Sequence, residues 1–425
     1  MPTIVVDSGA YNAGIPMRLQ VATQASLSSA TILATACLLA LACDSGLRDP
    51  SPPPNPRAQE IHRNAIVIDG HNDVTMWILE SGFDLGMDGA DPRKKSVEPW
   101  MLLMRFLTPP PGAELRTHTD LHRLERGGVD AQFFSIFADP RGRDPGEYRT
   151  RAIEMIEALL GQFVRHAGRL TLAVSARDIR EAAAAGKVAG LMGLEGGHAI
   201  EDELENVENF YDLGVRYMTL TWSNTNGWAD SSGDARRHGG LTDFGRGVVR
   251  EMNRLGMLVD VSHVSDETFW DVIETTRAPV IASHSSARAL VDVPRNMSDE
   301  MLRAVAANGG VVMVNFGGTF IDPAKAGYAK AALDILLHLG PSPVPLARLL
   351  DQIDHVARVA GIDHVGLGSD FDGTLFLPEG ARDVAGFPNI TAGLLERGYS
   401  EGEIRKILGE NLLRVFAQAE AVAGR

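Results

Sequence analysis

Residues 189–200 read AGLMGLEGGHAI, an apolar run that ends abruptly in Glu195 and continues into two glycines and His198. A short apolar run closed by glycines predicts a buried strand that opens into a loop. An unpaired buried charge is costly, so the Glu195 carboxylate needs a partner at that exit. An arginine at the strand end would serve, and so would a metal ion. The other predicted strands decide between these two readings.

Apolar runs of this kind alternate with helical patterns along most of the chain. The predicted strands are 65–69, 131–137, 190–195, 217–221, 258–261, 280–283, 311–315 and 364–368, with an extra edge strand at 170–174. The predicted helices include 151–166, 176–186, 243–256, 298–308 and 346–360. Eight such repeats over roughly 360 residues predict a (β/α)8 TIM barrel, an α/β fold with a parallel sheet.

Two long segments, 80–119 and 318–345, interrupt this alternation and are expected to be insertions over the C-terminal mouth of the barrel. A doubly wound open sheet is the alternative fold. That fold commonly carries a glycine-rich phosphate loop after its first strand, and the sequence has none.

Composition narrows the class of protein. The 425 residues carry a formal net charge of −15, which argues against a nucleic-acid-binding surface. The only two cysteines are Cys37 and Cys43, so the body has no disulfide, thiol nucleophile or cysteine metal ligand. After Cys43 no apolar run reaches the roughly 18 residues that a membrane span needs.

The N-terminus is typical of an exported protein. Residues 27–42 form an apolar stretch that ends in Ala-Leu-Ala directly before Cys43, as in a bacterial lipoprotein signal. We therefore expect a lipoprotein-type signal peptide over 1–43, a lipid anchor at Cys43, and a location in the periplasm or cell envelope. Simple cleavage after Ala42 is the alternative. The proline-rich residues 44–60 predict a linker, which places the folded domain at 61–425.

Metal-binding side chains follow five of the predicted strands, at the end of the barrel where catalytic groups gather. They are His71 and Asp73, Glu195, His263, His284, and Asp370 with Asp372. Imidazole and carboxylate without thiolate suit zinc, manganese or iron. One catalytic zinc takes three protein ligands and a water. Two metal ions that share one carboxylate fit this larger set better, and Glu195 is the natural bridge.

On these residues the chain resembles the membrane (renal) dipeptidases, a family of amidohydrolase-type barrels. The resemblance covers essentially residues 61–418. The motifs that carry it are DGHND (69–73), GLEGGHAI (193–200), RYMTLTW (216–222), VDVSHVS (259–265), ASHSSAR (282–288), PRN (294–296), GSDFDG (368–373) and NLLRVF (411–416).

The resemblance implies two zinc ions per chain, a homodimer and dipeptide substrates. It implies that His71, Asp73 and Glu195 bind one zinc, and that Glu195, His263 and His284 bind the other. Asp370 matches the family's acid/base aspartate, and Arg295 matches the arginine that holds the substrate's C-terminal carboxylate. A hydroxide between the metal ions would attack the peptide carbonyl, and Asp370 would carry its proton to the leaving amine. Asp372 is the rival for that role.

One position departs from the family pattern. Trp222 stands where the best-known members carry a histidine that contacts the substrate, and an indole N–H donates a hydrogen bond but cannot become cationic. The departure affects the expected substrate range more than the metal site. Two alternatives therefore stay open: a binuclear zinc amidohydrolase of N-acyl amino acids or lactam amides, and a catalytically weak, lipid-anchored binding protein. Four other histidines are not expected to bind metal. His118 and His122 are predicted to be surface or packing residues, His198 to be structural or to support a ligand, and His355 to have no functional role.

Overall fold

The computed structural model describes residues 55–91, 93–97, 114–326 and 344–423. Within them, eight parallel strands form a nearly closed barrel in which each strand pairs with the next along the chain. The strands are β1 (Ile68–Asn72), β2 (Ala131–Phe137), β3 (Val188–Glu195), β4 (Val215–Thr219), β5 (Leu258–Asp260), β6 (Ile281–Ser285), β7 (Val311–Val314) and β8 (Val365–Leu367). The predicted TIM barrel is confirmed.

Helices surround this barrel. The α-helices are Pro56–Asn64, Val74–Ser81, Leu121–Arg126, Tyr148–Arg165, Ala176–Ala184, Glu205–Asp212, Asp243–Leu255, Asp266–Thr275, Asp299–Asn308, Gly318–Ile321, Leu346–Ala360, Phe387–Glu396, Glu401–Arg405 and Asn411–Val422. Shorter turns of 3-10 helix lie at Gly197–Ile200, Pro323–Lys325, Ile362–His364 and Val384–Gly386, and a π-helical turn lies at Lys406–Glu410. Serine or threonine side chains cap several of the α-helices, and Ser400 with Glu403 forms a complete capping box.

One short backbone bridge and one buried side chain, rather than a long ladder, join the first strand to the segment that follows the last strand. Asn72 and Phe371 form a single parallel bridge. Beside it, the buried Asp69 carboxylate accepts hydrogen bonds from the Ser369 backbone N–H, at 2.7 Å, and from the Ser369 hydroxyl, at 2.6 Å. Burial raises the pKa of Asp69 to about 6, and the Ser369 hydrogen bonds act against that rise. Asp69 thus joins the two strands where the barrel closes.

Aromatic side chains fill the barrel interior from below. Phe416, on the C-terminal helix Asn411–Val422, lies 6.5 Å from Phe133 between ring centroids, and Phe133 lies 5.1 Å from Tyr217. A Cβ at Gly193 would fall 2.0 Å from the Tyr217 ring, so only glycine leaves room for it. The C-terminal helix therefore packs against a column of rings that ends at Tyr217, below the barrel mouth.

The observed elements match most of the predicted ones. Strand β2 and the helix Leu346–Ala360 have the predicted bounds, and the extra strand Leu170–Leu172 pairs with the start of β3. Strand β1 begins three residues later than the predicted 65–69. The difference arises because β1 continues through polar residues that face the mouth, where an apolar pattern gives no signal.

Folded structure begins a few residues before the domain start at 61 that composition predicts. The helix Pro56–Asn64 begins inside the predicted linker 44–60 and continues into the predicted domain, with Asn55 as its cap and proline at its first position. His62 is buried, and its Nδ1 lies 2.8 Å from the Thr391 hydroxyl. The predicted signal peptide, Cys43 and most of the linker lie outside the described residues.

Parts of both predicted insertions also lie outside the described residues. The described remainder of the first includes the strand pair Lys95–Ser96 and Leu115–Arg116. In the second, Val344 bridges to Pro378 beyond the end of β8. Among the described helices, none has both the length and the apolar character needed to cross a bilayer.

We expect Gly368→Ala to lower the free energy of unfolding by about 1–3 kcal/mol, because a Cβ there would fall 1.9 Å from the Ser283 carbonyl oxygen. Urea denaturation of the full chain measures the change. Gly161→Ala is the matched control, since no atom lies within 4 Å of the added Cβ in the helix Tyr148–Arg165. The control is expected to raise stability by about 0.5–1 kcal/mol. Equal stability of the two variants would contradict the packing described for Gly368.

Candidate metal centre

Glu195 stands in the middle of the candidate centre as the last residue of β3. Its Oε1 lies 3.2 Å from His263 Nε2 and 3.7 Å from His284 Nε2. Its Oε2 lies 3.4 Å from His71 Nε2 and accepts a 3.0 Å hydrogen bond from the Ser135 hydroxyl. Burial alone would raise the pKa of Glu195, but the charge of His71 and the hydrogen bonds from His263 and His71 hold it well below its ordinary value. Its two oxygens face different histidines, as a bridging ligand requires.

His71 and Asp73 come from the end of β1. The two side chains approach to 3.3 Å between His71 Nε2 and Asp73 Oδ2. Asp73 precedes the helix Val74–Ser81 but makes no capping hydrogen bond to it, which leaves its carboxylate available at the mouth. The Nδ1 of His71 lies 2.7 Å from the Tyr217 hydroxyl. This contact orients the ring so that Nε2 faces the carboxylates.

His263 and His284 face each other, with 2.9 Å between their Nε2 atoms. His284 lies within β6. His263 has a φ of 67°, a left-handed conformation that residues with a Cβ seldom adopt, and the Ser232 N–H donates a 2.8 Å hydrogen bond to its carbonyl. Burial lowers the pKa of His263 to about 4 and that of His284 well below its ordinary value. Both rings are therefore neutral near pH 7 and offer lone pairs to a cation.

Asp370 lies against these ligands, after the end of β8. It belongs with His71 and Asp73 to a group whose ligand atoms all lie within 4.8 Å of one another. Asn315 Nδ2 donates a 2.8 Å hydrogen bond to Asp370 Oδ2. Burial, with the charge of Asp73 beside it, raises the pKa of Asp370 well above its ordinary value. The carboxyl is thus held next to the candidate ligands in a setting suited to proton transfer.

Asp372 faces a different partner. Its Oδ1 accepts a 2.7 Å hydrogen bond from the His118 backbone N–H, and its own N–H donates to His118 Nδ1 at 3.0 Å. Burial raises the pKa of Asp372 to about 7 and lowers that of His118 to about 3. The pair joins the end of the first insertion to the loop after β8. Of the two aspartates, only Asp370 is grouped with the candidate ligands.

This donor set fits bound cations. The ligand atoms of His71, Glu195 and His284 form a second group within 4.8 Å, and all of these residues are buried. His71 Nε2 is buried and has no hydrogen-bond partner among the described residues. Asp73, Glu195 and Asp370 place three carboxyl groups in one buried cluster, where a cation would relieve their mutual repulsion. Nitrogen and oxygen donors without sulfur suit zinc, manganese or iron.

Arg295 lies half-buried in the loop after β6. Its Nη1 donates to the Ser285 hydroxyl and its Nη2 to the His284 carbonyl, each at 2.7 Å. The guanidinium is thereby tied to the strand that carries one candidate ligand. A planar guanidinium fork is also the group whose geometry matches a carboxylate.

Trp222 lies half-buried at the mouth, just after β4. Its ring lies 4.7 Å from the ring of Phe137, which ends β2, and the Arg141 guanidinium lies 5.1 Å from its centroid. A Cβ at Gly196 would lie 3.4 Å from the Trp222 Cβ. The indole therefore forms a wall beside the residue that follows Glu195.

Four further histidines considered in the sequence make contacts outside the candidate ligand set. His198 Nε2 lies 2.7 Å from the Ala138 carbonyl oxygen. His355 Nε2 lies 2.7 Å from Asp299 Oδ1 and links two helices. His122 is exposed, and its Nε2 lies 3.1 Å from the Gly86 carbonyl oxygen. His118 is buried against the Asp372 loop and is therefore a packing residue rather than a surface one.

Sequence patterns did not single out four residues that support the centre: Ser135, Tyr217, Asn315 and Gly373. Ser135 and Tyr217 lie inside buried strands, where a polar side chain among apolar ones is itself a signal. A Cβ at Gly373 would fall 1.9 Å from Asp73 Oδ2 and 2.7 Å from Asp370 Oδ1, so glycine is required there. The requirement for glycine arises because Asp73, which is distant in sequence, lies beside Gly373 in the fold. The sequence around Gly373 therefore does not predict it.

Comparison with known proteins gives consistent matches. A family model described as membrane dipeptidase (peptidase family M19) matches residues 55–425. The crystal structure of the probable dipeptidase PvdM from Pseudomonas aeruginosa is similar, with a TM-score of 0.72 and 27% identity, covering 87% of this chain and 100% of that one.

Two metallopeptidase structures are similar to the same extent. One is dipeptidase AC, with a TM-score of 0.69 and 28% identity over 84% of this chain and 98% of that one. The other is a metallopeptidase from Rhodobacter sphaeroides bound to a phosphinate mimic of the dipeptide L-Ala-D-Ala. It has a TM-score of 0.68 and 28% identity, covering 84% of this chain and 100% of that one.

We expect Glu195→Gln to lose bound metal as well as activity, because the substitution removes the charge that faces three histidines at once. Elemental analysis after gentle purification measures the metal. Glu203→Gln, an exposed position just beyond the same strand, is the control and should keep the wild-type metal content. Full metal content in Glu195→Gln would exclude Glu195 as the bridge.

Proposed function

The chain belongs to the membrane dipeptidase family of metallopeptidases, and from that premise we propose that it is an exported, zinc-dependent dipeptidase. Its substrates are dipeptides with a free C-terminal carboxylate. One observation carries the proposal: side chains from the ends of five strands converge around Glu195 at the mouth of a barrel whose interior is otherwise packed.

The proposed metal positions follow from which side chains meet. His71, Asp73 and Glu195 would hold one zinc ion, and Glu195, His263 and His284 a second, giving two per chain. When bound, such a pair lowers the pKa of a water toward neutral and polarises a carbonyl oxygen. At the second position, the neutral His263 and His284 rings and the ionised Glu195 are in the protonation states that ligands need.

Asp370 is the proposed acid and base. It lies within reach of both the metal ligands and the mouth, and its Asn315 hydrogen bond fixes one oxygen while leaving the other to exchange a proton. Taking a proton from the attacking water and giving it to the leaving amine is one continuous role for a single carboxyl. Asp372 has its Oδ1 committed to the His118 backbone instead.

Arg295 supplies the proposed selectivity for a dipeptide. A planar guanidinium matches a carboxylate better than an ammonium does, and its anchoring on Ser285 and the His284 carbonyl fixes its place relative to a ligand strand. A carboxylate bound there sets where the scissile bond lies. A longer peptide has no carboxylate at that distance from its first bond.

The cellular setting belongs to the same proposal. We infer export to the bacterial periplasm or cell envelope from the signal-like residues 27–42, and a lipid anchor at Cys43. Mass spectrometry of the mature N-terminus tests the anchor, and an unmodified Cys43 would remove it. The family resemblance adds a homodimer, which light scattering of the purified protein tests.

Zinc analysis combined with a panel of substrates tests the activity. The panel pairs L,L with L,D dipeptides, because the Rhodobacter sphaeroides structure holds a mimic of L-Ala-D-Ala. N-acyl amino acids and lactams complete the panel. Cleavage of dipeptides with about two zinc ions per chain supports the proposal. Preference for N-acyl or lactam amides would replace it with a broader amidohydrolase, and binding without turnover would favour the binding-protein reading.

We expect Asp370→Asn to keep its metal and lose turnover by about 10²–10⁴-fold, because general acid–base transfer contributes that much. Steady-state kinetics and elemental analysis measure both quantities. Asp372→Asn is the matched control from the same loop and should retain far more turnover. The opposite ranking would transfer the role to Asp372.

Amidation of the dipeptide's C-terminus is expected to reduce kcat/KM by roughly 30-fold or more, about 2 kcal/mol, because Arg295 loses its charged partner. Paired assays of free and amidated dipeptides measure the ratio. In Arg295→Met the ratio should fall toward one, since neither form then finds a guanidinium. An unchanged ratio in that variant would remove Arg295 from carboxylate recognition.

Trp222→His is expected to change the ranking of dipeptides more than the best turnover rate. The indole forms an apolar wall with Phe137, so its loss alters which side chains fit. Kinetics over the panel measure the ranking, with Trp270→His, on the helix Asp266–Thr275, as a control away from the mouth. A uniform rise of about 10²–10³-fold with unchanged ranking would mean that Trp222 merely lacks an oxyanion donor.

A further inference from the structure

Asp260 sits behind the candidate centre without touching a proposed metal position. It is the last residue of β5 and is fully buried. Its Oδ1 accepts hydrogen bonds from the backbone N–H groups of Ser262, at 3.0 Å, and Ser283, at 2.8 Å. Its Oδ2 accepts from the hydroxyls of Thr219, at 2.6 Å, and Ser283, at 2.5 Å. Four donors therefore converge on one carboxylate, which fills its acceptor sites.

The Ser283 hydroxyl connects this carboxylate to a candidate ligand. A hydroxyl has one hydrogen, and Ser283 donates it to Asp260. The same oxygen lies 2.7 Å from His284 Nδ1, where it can only accept. His284 Nδ1 must then carry the ring hydrogen, and the neutral ring is left with a lone pair on Nε2. That Nε2 lies 3.7 Å from Glu195 Oε1.

We propose that Asp260, acting through Ser283, is a positioning residue that fixes His284 in the tautomer whose Nε2 binds metal. The inference rests on the proposed function, because it assigns the Nε2 of His284 to the second metal position. It concerns how the chain prepares that ligand and not the reaction itself. Outer partners of metal-binding histidines typically change metal affinity by about 10–100-fold.

The other two histidines lack this device. His71 Nδ1 meets the neutral Tyr217 hydroxyl, which can either donate or accept. His263 Nδ1 has no hydrogen-bond partner among the described residues. The effect of the relay is therefore expected at the metal position that contains His284, and not at the one formed with His71.

The barrel contains a matched control for the relay. Ser369 donates its N–H and hydroxyl to the buried Asp69 at 2.7 and 2.6 Å, much as Ser283 does to Asp260. The other contacts of the Ser369 hydroxyl are the Phe371 N–H, which donates to it at 3.1 Å, and the His71 carbonyl oxygen at 3.2 Å, and neither is an imidazole nitrogen. Both serines thus donate an N–H and a hydroxyl to a buried aspartate, and of the two only Ser283 contacts a histidine ring.

The experiment compares Ser283→Ala with Ser369→Ala in the full chain, by stepwise zinc affinity in chelator competition. We expect Ser283→Ala to raise one of the two zinc dissociation constants by about 10–100-fold and to leave the other within about threefold of the wild-type value. Ser369→Ala is expected to leave both dissociation constants within about threefold of the wild-type values. It should lower the thermal stability of the chain about as much as Ser283→Ala does. Equal loss of affinity in the two variants, or an unchanged pair of constants in Ser283→Ala, would overturn the proposal.

Histidine ¹⁵N NMR of the metal-free chain gives a second readout that needs neither zinc nor catalysis. The His284 signal, assigned with His284→Gln, is expected to report a hydrogen on Nδ1 in the wild type. Asp260→Asn places an N–H₂ group near Ser283, turns its hydroxyl toward His284, and is expected to move the hydrogen to Nε2. A wild-type hydrogen on Nε2 would overturn the proposal. A chain with the expected tautomer that neither binds zinc nor cleaves dipeptides would refute the proposed function alone.

Discussion

Burial of three carboxyl groups among three imidazoles is the constraint on which the barrel mouth depends. Asp73, Glu195 and Asp370 leave three different strands and lie close together out of solvent. Such a cluster is stable only if positive charge enters it or if protons remain on some of its members. Among the described residues, histidines rather than lysines form the ion-pair contacts of Asp73 and Glu195, and a neutral imidazole can bind a cation. Membership of a metallopeptidase family agrees with that reading.

The surrounding structure holds these groups at some local conformational cost. His263 and Asp370 both adopt left-handed backbone conformations, which place their side chains into the mouth and cost energy for residues other than glycine. A buried carboxylate that accepts a serine hydrogen bond lies near each of these residues. Asp69 bonds to Ser369 at the β1–β8 closure, next to Asp370, and Asp260 bonds to Ser283 between β5 and β6, near His263. The same local bonding thus supports barrel closure in one place and a candidate ligand in the other.

Much of this was predictable from sequence because parallel barrels repeat one simple unit. Apolar runs located all eight strands, and the polar residues after them identified the side chains that converge at the mouth. The predicted bounds of strand β1 began three residues before the observed start, because the half of the strand that faces the mouth is polar. Ser135 and Gly373 escaped notice because their contacts are with residues distant in sequence. The sequence could not show that Asp370 and Asp372 have different partners: Asp370 accepts a hydrogen bond from Asn315, and Asp372 accepts one from the His118 backbone N–H.

The column of rings below Tyr217 limits how substrate and products can enter and leave the site. Phe416, Phe133 and Tyr217 occupy the described barrel interior from its floor to the hydroxyl that meets His71. Substrate, water and both product amino acids must then share the mouth. A product that lingers there occupies the path of the next substrate, so the rate at which the pocket clears, and not bond cleavage alone, can limit turnover when amino acids accumulate.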